Sequence, residues 1–351
     1  MKPVPALAPL SWIFGCVVTV RNFLFDRTLI RAEQVNAPVI SVGNISAGGS
    51  GKTPVVESIA KTLSEKGILA GIISRGYKRK TRGMVEVSDG KMLKTLAIDS
   101  GDEPYQLATH LPKTVIIVDE QRVRGARYAV DSLRVKAVLL DDGFQHRAIH
   151  RDLDIVVIDA SRSPFMMQML PAGYRRDTYS SLKRADAVLL TKVNQTATIK
   201  EIEEEIRKYT DAKIFTSTFT VAAFRRAKTK FSVNLESVKG KKAVAFCGIG
   251  EPESLRTSLE AIGIHVVLLM AFQDHHSFTK ADLSHIAREQ EKLSAEYIVT
   301  TEKDMARLSG AASGDFLDTN PVYYLEMRTK IDQEQEWNAM ILSTIEKTSR
   351  R

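Results

Sequence analysis

The stretch SVGNISAGGSGKTPVVESIAKTL, Ser41–Leu63, joins a short apolar segment to a helical pattern through a glycine-rich turn. Apolar residues from Val55 to Leu63 recur at the spacing of an amphipathic helix, and Pro54 is tolerated in its first turn. Such a turn between a strand and a helix lets backbone N–H groups converge on an anion at the positive end of the helix. This order of elements favours nucleotide binding over an ordinary glycine-rich turn.

The end of this turn, Gly51-Lys52-Thr53, has the form of a Walker A loop. We expect Lys52 to reach the outer phosphates of a bound nucleotide and the Thr53 hydroxyl to bind Mg²⁺. Ser46 stands where G-x-x-x-x-G-K-[ST] begins with glycine, and Gly48 and Gly49 provide the missing backbone freedom. The predicted nucleotide cradle comprises Ser46, Ala47, Gly48, Gly49, Ser50, Gly51, Lys52 and Thr53.

A second motif is an apolar strand pattern that ends in two carboxylates, Asp141 and Asp142. A carboxylate at the carboxyl end of a strand, beside a phosphate loop, is typical of a Walker B element that holds Mg²⁺. The alternative is a polar loop in which Asp141 caps the next segment. Together with the lysine motif, the pair favours a metal site, with Asp141 as the first candidate.

The composition indicates a globular chain with an acidic partner. The chain has 351 residues, 44% of them apolar, which is enough for two domains with separate cores. Its net charge of +8 suggests a nucleotide, a phosphorylated lipid, an anionic membrane surface or nucleic acid. No nucleic-acid module is recognisable, and no obligate protein partner is indicated. The two cysteines exclude the usual thiolate zinc cluster.

The order of apolar runs and helical segments predicts an α/β fold. A doubly wound, mostly parallel, P-loop NTPase-like sheet is expected, followed by a smaller α/β domain. Asp89-Gly90 predicts a hairpin between residues 84–87 and 92–96. We expect an N-terminal apolar helix over residues 1–30, a P-loop domain over 31–225, and a smaller C-terminal α/β domain over 226–351.

The N-terminal segment has no charged residue from Pro3 to Val20. Because Pro3, Pro5 and Pro9 restrict any helix to a start near Leu10, we expect a helix too short to cross a bilayer comfortably. The alternatives are a buried helix and an interfacial helix. Trp12, Phe14 and the following arginines favour a helix that lies in the headgroup layer of an anionic membrane.

Two acid- or histidine-containing segments are ambiguous. Asp102, in Ser100-Gly101-Asp102-Glu103-Pro104, is either a helix N-cap or a base at the site. His275, in the segment FQDHHSF, suits proton transfer near neutral pH, whereas a zinc site there is only weakly indicated by the spacing. Both residues are therefore candidates for the catalytic set, with Lys52.

Several basic loops follow predicted strands, where ligands of parallel sheets gather. Arg75, Lys78 and Arg122 are candidate substrate contacts, and Gln145 is a further one. The loop LPAGYRR, residues 170–176, is a candidate for binding a second phosphate. Asn194 stands where a GTPase carries the aspartate that reads guanine, which favours ATP as the nucleotide.

Taken together, the motifs resemble one family, the tetraacyldisaccharide 4′-kinases, the lipid A 4′-kinases of Gram-negative bacteria. The stretches that carry the resemblance run in consistent order from Ser41 to Leu308. They are SVGNISAGGSGKTP, SRGY, GDEPYQL, RVRGARYA, LLDDGFQHR, LDIVVIDA, LPAG-x-RR, LKRADAVLLTK, FCGIGEPESL, FQDHHSF and TTEKDMARL. GKT alone is generic, but the combination of GDEP, DDGFQH and DHHSF is specific.

The resemblance implies ATP-dependent phosphorylation of the 4′-hydroxyl of an acylated glucosamine disaccharide 1-phosphate at the cytoplasmic face of the inner membrane. It also implies that Asp141 and Asp142 organise the metal and that Asp102 and His275 prepare the sugar hydroxyl for attack. On this resemblance we expect residues 31–225 to be the kinase domain, residues 1–30 to form the membrane-interface helix, and residues 226–351 to close the active-site cleft. A rival interpretation is a membrane-associated P-loop ATPase or switch that regulates a partner protein.

Overall fold

The computed structural model describes residues 4–162, 165, 167–274, 276–308 and 314–349, which form two compact units. Unit 1 comprises Met1–Phe219 and Thr329–Arg351, and unit 2 comprises Thr220–Arg328. This division differs from the expected one at both ends of the chain. The N-terminal helix groups with the phosphate-loop region, and the C-terminal helix does not belong to the smaller unit.

The sheet of unit 1 has the strand order β3-β4-β2-β5-β1-β6-β7-β8, and every pairing is parallel except that of β3 with β4. The predicted α/β fold with a mostly parallel sheet is confirmed. Its strands are β1 Val39–Gly43, β2 Ala70–Ser74, β3 Val85–Asp89, β4 Val115–Val118, β5 Ala137–Asp141, β6 Leu153–Asp159, β7 Ala187–Thr191 and the start of β8 Lys213–Arg226.

Helices cover both faces of this sheet because the strands are apolar on both sides. In β5, Leu139 contributes to the core that contains α2, whereas Val138 and Leu140 pack with the buried face of α5. The helices of unit 1 are α1 Ala8–Asp26, α2 Lys52–Glu65, α3 Ala97–Ser100, α4 Asp102–His110, α5 Arg122–Asp131, α6 Ile199–Arg207 and α11 Glu334–Ser349.

The C-terminal helix α11 packs into the core of unit 1. The Trp337 ring is buried and meets the Phe215 ring edge-on, with 5.2 Å between the centroids. Ile341 and Ile345 extend the same apolar face into the core beside α2. The expected domain border did not include this packing, because the chain leaves unit 1 after Phe219 and returns to it at Thr329.

Unit 2 is a smaller α/β unit with the parallel strand order β11-β10-β12-β13. Phe224 of β8 pairs in an antiparallel manner with Val233 of β9. The strands are β9 Ser232–Val233, β10 Lys242–Cys247, β11 His265–Ala271, β12 Tyr297–Thr301 and β13 Val322–Ile331. The helices are α7 Pro252–Ala261, α8 Lys280–Lys292, α9 Glu302–Arg307 and α10 Gly314–Thr319.

Two local expectations require correction. Helix α1 begins at Ala8 and reaches 19 residues, because Pro9 lies in the first turn, where a missing N–H costs no intrahelical bond. By length and composition, α1 is the one helix among the described residues that could cross a membrane. The expected hairpin forms its turn but no second strand: Ser88 makes an isolated bridge with Leu93, and β3 pairs with β4.

Candidate functional site

The phosphate loop connects the end of β1 to the start of α2 at the carboxyl edge of the unit 1 sheet. Gly48 and Gly51 have φ values of 117° and 82°, a backbone region that favours glycine. Ser46 has no positive φ and forms an antiparallel bridge with Arg175, so glycine is not required at this position. The serine in the first Walker position is thus compatible with the loop.

The N-terminus of α2 is not capped by any side chain, and its N-cap residue is Gly51. Helix N-termini of this kind bind phosphate through free N–H groups and the helix dipole. Two predicted cradle amides are used within the protein: the Ala47 N–H donates to the Tyr174 carbonyl at 2.6 Å, and the Ser50 N–H donates to the Gly48 carbonyl at 3.0 Å. The Ser50 hydroxyl accepts a bond from the Asn44 amide at 2.8 Å, which braces the loop from inside.

The two aspartates lie beside this loop because β5 is the neighbour of β1, with Asp141 in register with Val42. Asp141 is the last residue of the strand, and its Oδ2 accepts a bond from the Ser74 hydroxyl at 3.0 Å. Asp142 has a positive φ of 55°, and its Oδ1 lies 3.6 Å from the Lys52 Nζ. Lys52 and the two carboxylates therefore lie close together at this edge of the sheet.

The environments of the two aspartates push their pKa values apart. Burial, together with the nearby charges of Glu103 and Asp142, raises the pKa of Asp141 to about 6. Burial also acts to raise the pKa of Asp142, but hydrogen bonds from Arg176 and the charge of Lys52 outweigh it and hold the pKa well below its usual range. Asp142 is thus held as an anion by Arg176 and Lys52, whereas the charge of Lys52 only partly offsets the burial of Asp141.

The residues present fit a bound magnesium ion. The Asp141 Oδ1 is buried without a hydrogen-bond partner, an arrangement that is costly unless a proton or cation meets it. The Thr53 hydroxyl donates to Glu103 Oε2 at 3.2 Å, which leaves its lone pairs for a cation. Within the described ranges, no three His, Cys, Asp or Glu side chains form a self-sufficient metal site, but Mg²⁺ commonly uses one or two carboxylates plus substrate phosphates.

Asp102 is the first residue of α4, directly after Gly101, which has a φ of 92°. The N-cap of α4 is Gly101 and not Asp102, so the structure does not support the capping alternative. The same acidic turn places Glu103 against Thr53 of the phosphate loop. His275 lies outside the described residues, and the pairing of Asp102 with His275 stays a prediction.

The candidate substrate residues have different surroundings. Arg75 and Lys78 are exposed on the loop that follows β2. Arg122 is buried and donates to the Asp119 carbonyl at 2.5 Å; burial lowers its pKa to about 10, against the attraction of Asp141 and Asp142. The Gln145 amide donates to the Asn44 carbonyl at 2.7 Å, so this side chain supports the start of the phosphate loop.

The most important residue that the sequence analysis missed is Arg176. The loop LPAGYRR was expected to bind a second phosphate, but Arg176 turns inward and donates to Asp142 Oδ2 and Oδ1 at 2.8 and 2.7 Å. It also bonds to Asn44 Oδ1. Glu103 was also missed as a neighbour of Thr53 and Asp141. The signals available were the second arginine of LPAG-x-RR and the glutamate of GDEP.

The segment after β7 supports the loop and is not arranged to read a base. The Thr191 hydroxyl donates to the Ser50 carbonyl at 2.9 Å, and Lys192 Nζ donates to the Gly49 carbonyl at 3.3 Å. The Asn194 side chain bonds both the N–H and the carbonyl of Phe219. Its amide is thereby engaged with the backbone, in agreement with the absence of a guanine-reading carboxylate.

In unit 2, His276, the residue after His275, contacts three side chains. His276 Nε2 lies 3.0 Å from Asp282 Oδ2, and its ring stacks on Phe272 with 4.8 Å between centroids. The Phe278 ring meets the same imidazole edge-on. These contacts determine where the His276 side chain lies within unit 2.

Comparisons with known proteins agree on one family. The family model for tetraacyldisaccharide-1-P 4′-kinase, LpxK, matches residues 4–346. A tetraacyldisaccharide 4′-kinase of Chlorobaculum parvum is 38% identical over 307 residues, 86% of this chain and 84% of that protein. One from Desulfotalea psychrophila is 36% identical over 340 residues, covering 96% and 95%. A crystal structure of LpxK from Aquifex aeolicus in complex with ATP has a TM-score of 0.77 at 31% identity, covering 97% of this chain and 99% of that one.

Proposed function

The chain belongs to the tetraacyldisaccharide-1-P 4′-kinase family, and on this premise we propose which of its residues carry the reaction. The protein is a kinase that transfers the γ-phosphate of ATP to the 4′-hydroxyl of a tetraacylated glucosamine disaccharide 1-phosphate, a step of lipid A biosynthesis. The observation that carries our assignment is the meeting of the α2 N-terminus, Lys52 and the Asp141-Asp142 pair at one edge of the sheet.

Each group of this cluster has a separate task in phosphoryl transfer. The free N–H groups at the start of α2 hold the phosphate chain, and Lys52 places its positive charge against the outer phosphates. Asp142 orients Lys52 and Arg176, while Asp141 and the Thr53 hydroxyl hold the metal. When bound there, Mg²⁺ neutralises charge on the phosphate oxygens. Phosphoryl transfer needs such positioning and charge stabilisation more than covalent help from the protein.

A labelling experiment tests this function against its rival. We expect that γ-labelled ATP transfers its label to a lipid-extractable product only when the acylated disaccharide acceptor is present. A membrane-associated ATPase or switch would instead release phosphate without acceptor, and none of the comparisons supports that alternative. Release of label as free phosphate at an equal rate with and without acceptor would overturn the assignment.

The acceptor side of the site is assigned to Asp102 and His275. Asp102 lies at the start of α4, one residue from the Glu103 that contacts Thr53 of the phosphate loop. We assign to the aspartate and the histidine together the removal of the proton from the sugar hydroxyl. Arg75, Lys78 and Arg122 are assigned to the 1-phosphate of the acceptor, because they are basic residues on loops that follow strands or begin helices near this edge.

Replacing His275 with alanine is expected to lower kcat by about 100-fold while the affinity for ATP stays within about twofold, because general-base assistance contributes at this scale and nucleotide binding does not use it. Asp102→Asn should act in the same direction. The measurements are initial rates and binding of a fluorescent ATP analogue, with His265→Ala, exposed in unit 2, as the control. Equal losses of turnover and nucleotide affinity would contradict the assignment.

Helix α1 is assigned to the membrane surface, at the cytoplasmic face of the inner membrane. Its buried residues are Ser11, Val18 and Asn22, two of them polar, whereas most of its large apolar residues are exposed or half-buried. Trp12 and Val17 are 76% and 60% exposed. An apolar helix face of this kind, on a chain with net charge +8, fits the interface of an anionic bilayer.

The double change Trp12→Ser and Val17→Ser is expected to weaken sedimentation with anionic vesicles by about tenfold or more, since each buried side chain of this size contributes about 1.5–3 kcal/mol. The protein should remain folded, because both residues point away from the core. Phe231→Ser is the matched control, because Phe231 is equally exposed at 76% but lies in unit 2. Unchanged sedimentation of the double variant would refute the membrane assignment of α1.

A further inference from the structure

A buried carboxylate outside the catalytic set joins the membrane helix to the phosphate site. Asp177 is fully buried, and its Oδ1 accepts a bond from the Asn22 amide of α1 at 2.8 Å. Its Oδ2 faces Arg21 and Arg184 at 3.6 and 3.5 Å. A buried carboxylate persists only with such compensation, so these contacts determine where Asp177 lies.

The residue before Asp177 is the arginine that holds the metal-organising aspartate. Both backbone N–H groups, of Arg176 and Asp177, donate to the Ile45 carbonyl, at 2.8 and 3.3 Å. The Arg176 side chain bonds Asp142 twice and also bonds Asn44, whose amide braces Ser50 of the phosphate loop. One guanidinium thus connects the two motifs of the nucleotide site.

A second contact ties α1 to the loop that follows the aspartate pair. Arg147 donates to the Asn22 carbonyl at 3.0 Å and pairs with Asp26 at 2.7 Å. Arg147 lies five residues after Asp142, so both loops that flank the metal site, residues 142–147 and 174–177, are fastened to the same turn of α1. A helix used only as an anchor would not need a buried polar contact such as that of Asn22 with Asp177.

We infer that Asp177 is a positioning residue for the magnesium–nucleotide site, acting through Arg176, and that α1 completes this site through Asn22. The inference rests on the metal and nucleotide roles proposed above. Loss of the Asp177 charge removes the carboxylate that faces Arg21 and Arg184 and releases the anchor of the loop that carries Arg176. Asp142 then loses its fixed orientation. Groups that orient metal-site carboxylates typically affect metal affinity by about 10–100-fold.

The test measures nucleotide binding without acceptor, using a fluorescent ATP analogue with and without Mg²⁺. In Asp177→Asn, the factor by which Mg²⁺ tightens binding is expected to fall about tenfold, while binding without Mg²⁺ changes little. Asp131→Asn, an exposed aspartate at the end of α5, is the matched control. An unchanged magnesium effect in folded Asp177→Asn overturns the inference.

A second variant keeps the test decisive where Asp177→Asn does not fold. Asn22→Leu removes the bond from α1 and should reduce the magnesium effect severalfold while vesicle sedimentation persists, with Thr19→Leu on the exposed face as its control. Loss of sedimentation with a normal magnesium effect means that Asn22 serves only the anchor, which overturns the inference. Wild-type protein that binds the nucleotide with Mg²⁺ but never phosphorylates the acceptor overturns the proposed function alone.

Discussion

Replacing Lys52 with methionine is expected to reduce kcat/KM by about 10²–10³-fold, the usual loss when one preorganised charge at the reacting group is removed. The Lys52 side chain is only 14% exposed, and its Nζ lies 3.6 Å from Asp142 Oδ1. Methionine retains most of the stem but cannot offer a positive charge to the γ-phosphate. The measurement is the initial rate of label transfer from ATP to the lipid acceptor.

Lys61→Met provides the matched control on the same helix. The Lys61 side chain is 46% exposed and pairs with Glu57 one turn away, an interaction of about 0.3–0.5 kcal/mol at a helix surface. This variant should retain the wild-type rate. If Lys52→Met and Lys61→Met were equally active, the glycine-rich turn would not be the phosphate site.

Asp141→Asn is expected to lower kcat by about 10²–10³-fold without lowering the melting temperature. The orphaned Asp141 Oδ1 and the raised pKa, about 6, show that the folded protein without metal disfavours this buried charge. An amide keeps the shape and removes the repulsion from Glu103 and Asp142, so the variant should melt at the same or a higher temperature. Functional sites commonly trade stability for activity in this way.

The comparison with Asp142→Asn identifies the direct metal ligand. Asp142 is already bonded to Arg176 and lies near Lys52, so its loss should leave those two cations uncompensated and lower the melting temperature. Binding of Mn²⁺ in the presence of ATP, followed by electron paramagnetic resonance, should be lost in Asp141→Asn and retained, though weakened, in Asp142→Asn. The reverse pattern would assign the metal to Asp142.

Much of this site could be predicted because its residues follow strands. In a parallel sheet, the carboxyl ends of adjacent strands meet at one edge, so Lys52 after β1 and Asp141 at the end of β5 had to lie near each other once those strands were neighbours. The glycine-rich turn could be recognised as a phosphate-binding loop from its sequence alone, because Gly51-Lys52-Thr53 is a known local motif. The fold class followed from the same alternation of strands and helices.

The remaining parts depend on contacts between distant segments, which local patterns do not encode. The residues next to Arg176 in the sequence do not indicate that its side chain bonds Asp142 and not a ligand. An arginine in a glycine-containing loop has the same local sequence whether it is exposed or buried. The helical pattern of α11 was visible, but the packing of Trp337 on Phe215 was not. The turn at Asp89-Gly90 was predicted from the sequence, but the pairing of β3 with β4, and not with residues 92–96, was not.

The most direct test of the account is a crystal structure with Mg²⁺ and a nonhydrolysable ATP analogue. We predict that the β- and γ-phosphates lie against the N–H groups of residues 48–53, with Lys52 Nζ on the γ-phosphate. The metal should lie within coordinating distance of Asp141 Oδ1 and the Thr53 hydroxyl. A nucleotide bound elsewhere in the protein, with the start of α2 empty and the metal away from both aspartates, would contradict the account.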